Sequence, residues 1–567
     1  MNIDETLRAR AEAWLAQDPD EVTRAELAGL IAAGDVAVLA ERFAGRLEFG
    51  TAGIRGVLGA GPMCMNRVVV REVSAGLADY VLAQGPGAAE HGVVIGRDAR
   101  RGSEVFAEDA ARVFLGKGLR VYLFRDVVPT PVVAFGVLAV GAAAGVMVTA
   151  SHNPPEYNGY KVYWGNGAQI IPPHDAGIAA AIDRVGRTDV LALPELDDER
   201  AAGRLIDVGE ELERRYLDGV RALAVHPDAA AKHPITIAYT ALHGVGSRFV
   251  EAAMSDAGFT ALYSEPSQRE PDGAFPTVRF PNPEEKGAMD RVLALATSVQ
   301  ADLVLASDPD GDRLAVAIPD GDGYRMLSGD QIGVLLADYL LSEGPQDDRM
   351  VATTIVSSQL LGQMARELGV AFQQTLTGFK WIANAALAQS ARFVMGYEEA
   401  LGYTCGELVR DKDGVSAAVM FAELTAVAGA RGETIGDRLD SIYRRFGLYL
   451  TEQVSLTRPG ADGLREIAAI MKAARNNPPA DVGGRRVTEH HDLAAGALDL
   501  PPSDVLIFYL DGGQRVIMRP SGTEPKLKCY YEVREPVADG EAIDAAIARA
   551  RTQLDALRVA HQATLAP

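Results

Sequence analysis

Apolar and polar positions follow one another in blocks along this chain, and the same block order occurs three times. An apolar run ends in a polar turn, a helical segment follows, and a glycine precedes a second apolar run. Strands alternating with amphipathic helices produce this pattern, and such alternation builds mixed or mostly parallel sheets covered by helices. The three copies begin at residues 93–100, 235–244 and 351–358 and share the pattern without evident sequence identity. We therefore predict three related mixed α/β domains.

The pattern changes after about residue 450. Strand-like runs and a helical segment are followed by two further strand-like runs around a Gly/Pro loop, and then by a long alanine-rich helix. Strands with helices on one side are typical of an α+β domain. We place domain boundaries in charged or Gly/Pro-rich segments. The predicted domains are 1–205, 206–322, 323–448 and 449–567.

Composition narrows the class of protein. The 567 residues are 48% apolar and 23% charged, which is enough to form several buried cores. The formal net charge of −22 argues against a nucleic-acid partner, which would need a basic surface. A phosphorylated ligand would require Arg and Lys to be gathered locally. Three distant cysteines and an N-terminus without signal-peptide character favour a cytoplasmic protein.

One uncharged stretch, residues 127–150, is long enough to span a bilayer. Pro129, Pro131 and three glycines interrupt it, and no aromatic belt flanks it. We predict a buried helix that leads into a central strand, and no membrane partner.

The run Thr149-Ala-Ser-His-Asn-Pro contains a candidate nucleophile. The apolar segment before it would deliver Ser151 to the carboxyl end of a strand, where open α/β sheets place their sites. His152 and Lys161 are possible proton carriers for an activated hydroxyl. A serine in this position is also a common turn or N-cap residue, and no Gly-x-Ser-x-Gly elbow is present.

The run Asp308-Pro-Asp-Gly-Asp-Arg313 offers three carboxylates directly after an apolar strand. Asp308, Asp310 and Asp312 would repel one another unless a cation neutralised them, and hard oxygen ligands suit Mg²⁺. Arg313 could reach a phosphate or the transferring group. The alternative is a solvated turn; an EF-hand is excluded because Arg313 stands where that loop requires glycine.

The segment Arg519-Pro-Ser-Gly-Thr-Glu-Pro-Lys-Leu-Lys528 combines glycine, hydroxyls and cations. Its backbone N–H groups and arginine would form an anion-binding concavity, although a tight hairpin with surface charges is the alternative. Weaker candidates in Gly-rich or strand-end loops are as consistent with plain loops as with a site. They are Arg55, Thr377, Gly378, Lys380, Glu398 and Glu399.

Together these motifs, over about residues 48–532, resemble the α-D-phosphohexomutase family. The resemblance implies four domains around a central cleft, three of mixed α/β type and a C-terminal α+β domain that binds phosphate. It implies phosphoryl transfer on a phosphosugar with one Mg²⁺ per chain, by way of a bisphosphorylated intermediate that also acts as activator. For a glucose substrate that compound is glucose 1,6-bisphosphate.

The resemblance also implies roles for individual residues. Ser151 would carry the phosphate and, with the three aspartates, ligate Mg²⁺; Lys161 would act in acid–base chemistry, and Arg55 and Arg313 would be active-site arginines. A further set of residues would contact the substrate. The implied or candidate substrate contacts are Thr377, Gly378, Lys380, Glu398, Glu399, Arg519, Ser521, Gly522, Thr523 and Lys528.

The predicted substrate is glucose 1-phosphate, converted to glucose 6-phosphate. Many glucose-specific members of the family have Glu-x-Ser in the sugar loop, whereas the matching positions here are Glu398 and Ala400. The wording around this loop and Asp411-Lys-Asp-Gly414 is similar to a subgroup with phosphopentomutase-like members. Mannose or pentose phosphates are therefore alternative substrates, and an inactive phosphosugar sensor is a third hypothesis. The oligomeric state is expected to be monomer or homodimer.

Overall fold

The computed structural model describes residues 4–458, 460–521 and 526–565. The chain divides into two compact units, each described here by itself. The first comprises Met1–Leu327 and Gly402–Val427, and the second comprises Ser328–Leu401 and Ala428–Pro567.

A six-stranded mixed sheet forms the amino-terminal part of the first unit. Its strands lie in the order β1-β5-β4-β2-β3-β6, where β2 pairs in parallel with β3 and β4, while β5 runs antiparallel to β1 and β4. The predicted strand at residue 93 and its partner at residue 121 are confirmed. The strands are β1 Ile54–Val57, β2 Val93–Arg97, β3 Val121–Phe124, β4 Ala144–Val148, β5 Tyr157–Trp164 and β6 Leu205–Val208.

Helices cover this sheet, and their apolar residues join those of the strands in one large core. The uncharged stretch at 127–150 forms a mostly buried helix, a left-handed Gly141 and strand β4, as predicted. The helices are α1 Glu5–Gln17, α2 Glu21–Ala33, α3 Val36–Arg42, α4 Arg67–Leu82, α5 Ala88–His91, α6 Ser103–Gly116, α7 Thr130–Val140, α8 His174–Ile182 and α9 Leu196–Ala201.

A second sheet of five strands follows, in the order β11-β10-β9-β7-β8. Strand β7 pairs in parallel with β8 and β9, and the hairpin strands β10 and β11 complete the sheet in antiparallel fashion. The strands are β7 Ile237–Thr240, β8 Leu262–Ser264, β9 Leu303–Ser307, β10 Leu314–Asp320 and β11 Gly323–Met326. The helices are α10 Glu210–Ala222, α11 Ala229–Lys232, α12 Ser247–Asp256 and α13 Asp290–Val299.

The second unit begins with the third copy of the pattern. Its central strand β12 pairs in parallel with β13 and β14. The capping box of Ser328 and Gln331 starts helix α14. The elements are α14 Gly329–Glu343, β12 Arg349–Thr354, α15 Leu360–Leu368, β13 Ala371–Thr375, α16 Phe379–Leu387 and β14 Arg392–Glu398. Strand β15 Gly402–Cys405 and helix α17 Gly414–Ala430, as far as Val427, belong to the first unit.

The carboxyl-terminal part of the second unit is an antiparallel sheet in the order β16-β21-β20-β19-β18-β17. This confirms the predicted change to an α+β domain. The elements are α18 Ile435–Phe446, β16 Leu448–Thr457, α19 Gly460–Asn476, β17 Asp481–Val482, β18 Arg485–Asp492, β19 Leu506–Leu510, β20 Gln514–Pro520, β21 Lys526–Glu535 and α20 Ile543–Thr564.

Among the described residues, no single helix combines the length and apolar character needed to cross a membrane. Helices α17 and α18 meet that criterion only when they are counted together.

Candidate active site

Ser151 lies three residues beyond the end of strand β4, on the turn that the sequence predicts. Its φ of +53° is in the left-handed region, which a serine seldom adopts. The backbone N–H of Ser151 donates to Thr149 Oγ1 at 2.8 Å. Its Oγ donates to Asp308 Oδ2 at 3.0 Å and lies 3.1 Å from His152 Nδ1. The candidate nucleophile therefore touches both the acidic run and the candidate proton carrier.

Arg100 binds the backbone of the turn that carries Ser151. Its guanidinium donates to the backbone carbonyls of Ser151 at 2.6 Å, Asn153 at 2.5 Å and Pro154 at 2.8 Å. Asp98 balances the buried charge at 3.3 Å from Arg100 Nε. Sequence analysis missed Arg100, because nothing in the spacing of residues 93–100 indicates that a side chain there reaches residue 151.

The three aspartates follow strand β9 and are fully buried. One carboxylate oxygen from each lies within 4.8 Å of the others. Burial and the neighbouring charges of Asp310 and Asp312 raise the pKa of Asp308. Like charges held this close in a buried site repel one another unless cations neutralise them.

The donor set fits a hard divalent cation. Asp310 Oδ1 and Asp312 Oδ1 are buried and have no hydrogen-bond partner among the described residues. Thr130 Oγ1 donates to the other Asp310 oxygen at 2.7 Å, which orients that carboxylate. Three carboxylates, two of which have an oxygen without a partner among the described residues, are the kind of ligands that Mg²⁺ prefers. Asp308, Asp310 and Asp312 are therefore suited to hold Mg²⁺.

Two lysines contact the acids. Lys161 Nζ lies 2.7 Å from Asp310 and 2.9 Å from Asp312. Burial alone would lower the pKa of Lys161, but these carboxylates outweigh it and raise the pKa above its ordinary value. Lys412 lies 3.4 Å from Asp312. Sequence analysis missed this cation, because the segment Asp411-Lys-Asp-Gly indicated only a likeness to one subgroup of the family.

Two arginines border the serine and the acids. Arg313 Nε lies 3.8 Å from Asp308, and its backbone N–H donates to Asp308 Oδ1. Arg55, on strand β1, donates to Asn153 Oδ1 at 2.8 Å. Burial and these two arginines lower the pKa of His152, so the ring is neutral near pH 7. The first unit thus brings together all five predicted catalytic residues.

The predicted sugar-binding residues lie in the second unit. Glu398 ends strand β14, and its Oε1 accepts the backbone N–H of Gly378 at 2.7 Å. Thr377 and Lys380 flank this glycine at the start of helix α16, so the two loops meet. Glu399 Oε2 accepts hydrogen bonds from Ser357 Oγ at 3.1 Å. Burial, with Glu398 and Asp330 adding to it, raises the pKa of Glu399 to about 7.

The predicted phosphate loop connects strands β20 and β21. Arg519 and Lys528 are register partners across this pair, so both cations lie at the same end of the sheet. Ser521 N donates to Lys526 O at 2.8 Å. Gly522 and Thr523 lie outside the described residues.

Four family models match the chain in succession. They are the phosphoglucomutase/phosphomannomutase alpha/beta/alpha domains I, II and III, at residues 46–188, 214–321 and 328–446, and the C-terminal domain at 454–550. Together these models cover most of the chain.

Curated relatives align over nearly their whole length. A probable phosphoribomutase of Schizosaccharomyces pombe is 38% identical, over 94% of this chain and 94% of the relative. A probable phosphomannomutase of Haemophilus influenzae is 40% identical, over 83% and 93%. A phosphopentomutase of Pongo abelii is 35% identical, over 95% and 93%.

Proposed function

Because the chain belongs to the phosphoglucomutase/phosphomannomutase family, we propose that it is a phosphosugar mutase whose preferred substrate is a pentose 1-phosphate. The product is the corresponding 5-phosphate. The observation that carries the reaction type is the contact of Ser151 Oγ with Asp308, at 3.0 Å, beside two further buried aspartates. Nucleophile and cation-binding acids in one place are what phosphoryl transfer requires.

The pentose substrate replaces the glucose that the sequence led us to expect. Two of the three relatives described above are named as mutases of ribose or pentose phosphates. Ala400 weighs against a glucose-specific site, because the loop lacks the serine hydroxyl that many glucose-specific members have at this position. The Haemophilus relative favours mannose phosphate as the second candidate.

In the proposed reaction, a sugar hydroxyl attacks the phosphorus of phosphorylated Ser151. The new P–O bond forms as the bond to Ser151 Oγ breaks, giving a sugar bisphosphate. The proton of the attacking hydroxyl passes to a group of the site, for which Lys161 and His152 are the candidates. After the bisphosphate has reversed its orientation in the site, its other phosphoryl group is transferred to Ser151. The same groups then act in reverse.

Cations in the first unit offset the charge on the transferring group. Lys161 and Lys412 contribute ammonium charges, and Arg313 lies beside Asp308. When Mg²⁺ is bound by the three aspartates, it supplies further neutralisation of the phosphoryl oxygens. In the second unit, Glu398 would accept sugar hydroxyls, and Arg519 and Lys528 would hold the phosphate that does not react.

The substrate proposal is tested by comparing kcat/KM on ribose 1-phosphate, glucose 1-phosphate and mannose 1-phosphate. We expect the highest value on ribose 1-phosphate. A higher value on either hexose phosphate would overturn the pentose assignment.

Ser151→Ala is expected to lower kcat about a thousandfold or more on every substrate, since the group that carries the phosphoryl is gone. Wild-type turnover in that variant would overturn the role of Ser151.

A further inference from the structure

Arg515 is a buried arginine on strand β20, and no step of the proposed reaction involves it. It is 2% exposed and lies four residues before Arg519, on the same face of the strand. Its guanidinium donates to the carbonyl oxygens of Ile355 at 2.8 Å and Ser357 at 2.6 Å. Both carbonyls belong to the loop between strand β12 and helix α15. Arg515 therefore links the strand that leads to the phosphate loop with a loop of the third sheet.

Glu532 holds the same loop from the neighbouring strand β21. It pairs with Arg515 at 2.8 Å and accepts hydrogen bonds from Ser358 Oγ and Gln359 N, each at 2.8 Å. Around this pair, Ile355 shares a hydrophobic core with Ile517. Each end of the ion pair thus has protein partners, and the low surrounding dielectric strengthens these bonds. The loop backbone is fixed by its contacts with the C-terminal sheet.

The side chain of Ser357 carries this constraint to the sugar loop. Its Oγ donates to Glu399 Oε2 at 3.1 Å and accepts the backbone N–H of Glu399 at 3.2 Å. Thr354 Oγ1 also reaches Glu399 Oε2, at 3.3 Å. Glu399 is adjacent to Glu398, which is the candidate sugar contact. Ser357 therefore joins Arg515 to Glu399: its backbone carbonyl binds Arg515, and its side-chain hydroxyl binds Glu399.

We propose that Arg515 is a positioning residue for sugar recognition, which acts through Ser357 to fix Glu399 and, with it, the sugar loop. The inference rests on the proposed function, since it assumes that Glu398 meets the sugar. Arg515 itself touches no substrate. Its removal should change how the enzyme ranks sugars, because the loop that carries Glu398 would lose its anchor while Arg519 would remain in place.

The experiment compares Arg515→Met, Ser357→Ala and the double variant with the wild type. For each protein, kcat and KM are measured on ribose 1-phosphate and glucose 1-phosphate. Ser342→Ala serves as the matched control, because the hydroxyl of this exposed helical serine donates to Tyr339 O of its own helix. Urea unfolding shows whether each variant is folded. If Arg515→Met does not fold, Ser357→Ala decides the question, since it leaves the carbonyl that Arg515 binds.

We expect Ser357→Ala and Arg515→Met each to change the ratio of the two kcat/KM values at least fivefold, mostly through KM. The double variant should change it no more than the larger single variant, because both act on one path. Ser342→Ala should leave the ratio unchanged. An unaltered ratio in a folded Arg515→Met or in Ser357→Ala, or effects that multiply in the double variant, would overturn the inference. A wild type inactive on both substrates and on mannose 1-phosphate would instead overturn the proposed function, and this inference with it.

Discussion

Ser151 is held in a backbone conformation that costs on the order of 1–2 kcal/mol for a residue with a side chain. The observed φ of +53° therefore depends on its surroundings. Three hydrogen bonds from Arg100 to carbonyls of this turn supply the restraint. The guanidinium has no substitute here, because a lysine ammonium cannot span several carbonyls in one plane.

Arg100→Lys should accordingly impair both catalysis and stability. We expect kcat to fall about 10- to 100-fold through misplacement of the serine hydroxyl, and the free energy of unfolding to fall by about 3 kcal/mol, since Asp98 loses part of its pairing. Steady-state kinetics and urea unfolding measure these effects. Arg101→Lys is the control, because Arg101 is the exposed neighbour. Equal behaviour of the two variants would contradict the restraint.

Asp312 is expected to contribute directly to cation binding. In Asp312→Asn one of three anionic ligands is neutralised, so the Kd for Mg²⁺ should rise on the order of tenfold or more. Isothermal titration of the folded protein with Mg²⁺ measures this without reference to activity. Asp320→Asn, at an exposed position at the end of strand β10, is the control and should bind Mg²⁺ like the wild type. Unchanged binding by Asp312→Asn would argue against the three-aspartate site.

At the scale of elements, Gly414 is the first residue of helix α17 and packs against the acidic loop, residues 308–313. A Cβ at this position would lie 2.4 Å from Arg313 O and 2.8 Å from Gly311 O, both backbone atoms. Gly414→Ala should therefore displace the acidic loop, lower the free energy of unfolding by about 1–3 kcal/mol and weaken Mg²⁺ binding. Gly29→Ala, where a Cβ meets nothing within 4 Å in helix α2, should be neutral or stabilising. The idea fails if both variants are equally stable and bind Mg²⁺ alike.

Strands were predictable at this scale, and so were the chemical groups at their ends. The period of the apolar runs located β2, β7 and β12, and strand–turn junctions placed Ser151 and Asp308 at carboxyl ends. Their mutual contact was not predictable from periodicity, since they follow strands of two different sheets. Resemblance to the family supplied that pairing. The predicted domain boundaries stay predictions.

Residues that act across long sequence separations escaped the sequence analysis. Lys412 lies in the segment predicted as domain 323–448, yet it contacts Asp312 in the first unit. Arg515 and Arg100 each reach backbone carbonyls, which leave no signature in side-chain spacing. Sequence patterns indicate which residues take part in the reaction. Which residues position those side chains is decided by tertiary contacts.

At the scale of the whole molecule, the formal net charge is −22, so carboxylates outnumber cations. Two buried carboxyls of the second unit, Asp330 and Glu399, bind protons at a higher pH than free carboxyls do. Burial raises the pKa of Asp330 to about 6 and that of Glu399 to about 7. Both groups bind protons more tightly in the folded state than in the unfolded chain.

Stability should therefore fall as the pH rises through this range. For Glu399 the contribution is complete below its usual pKa of 4.5 and is lost as the pH passes about 7. We expect Glu399→Gln to flatten the profile, so that its unfolding free energy gains on the order of 2 kcal/mol relative to the wild type between about pH 5 and pH 8. Glu367→Gln, at an exposed position, is the control. Parallel profiles for all three proteins would contradict the prediction.

The most direct test of the central claim is mass spectrometry of the folded protein after incubation with Mg²⁺ and a sugar bisphosphate, either ribose 1,5-bisphosphate or glucose 1,6-bisphosphate. The account predicts one phosphoryl group on the peptide that contains Ser151, and its loss to the sugar when a monophosphate is added. A phosphoryl group on another residue, or none on Ser151 while the enzyme turns over, would contradict it.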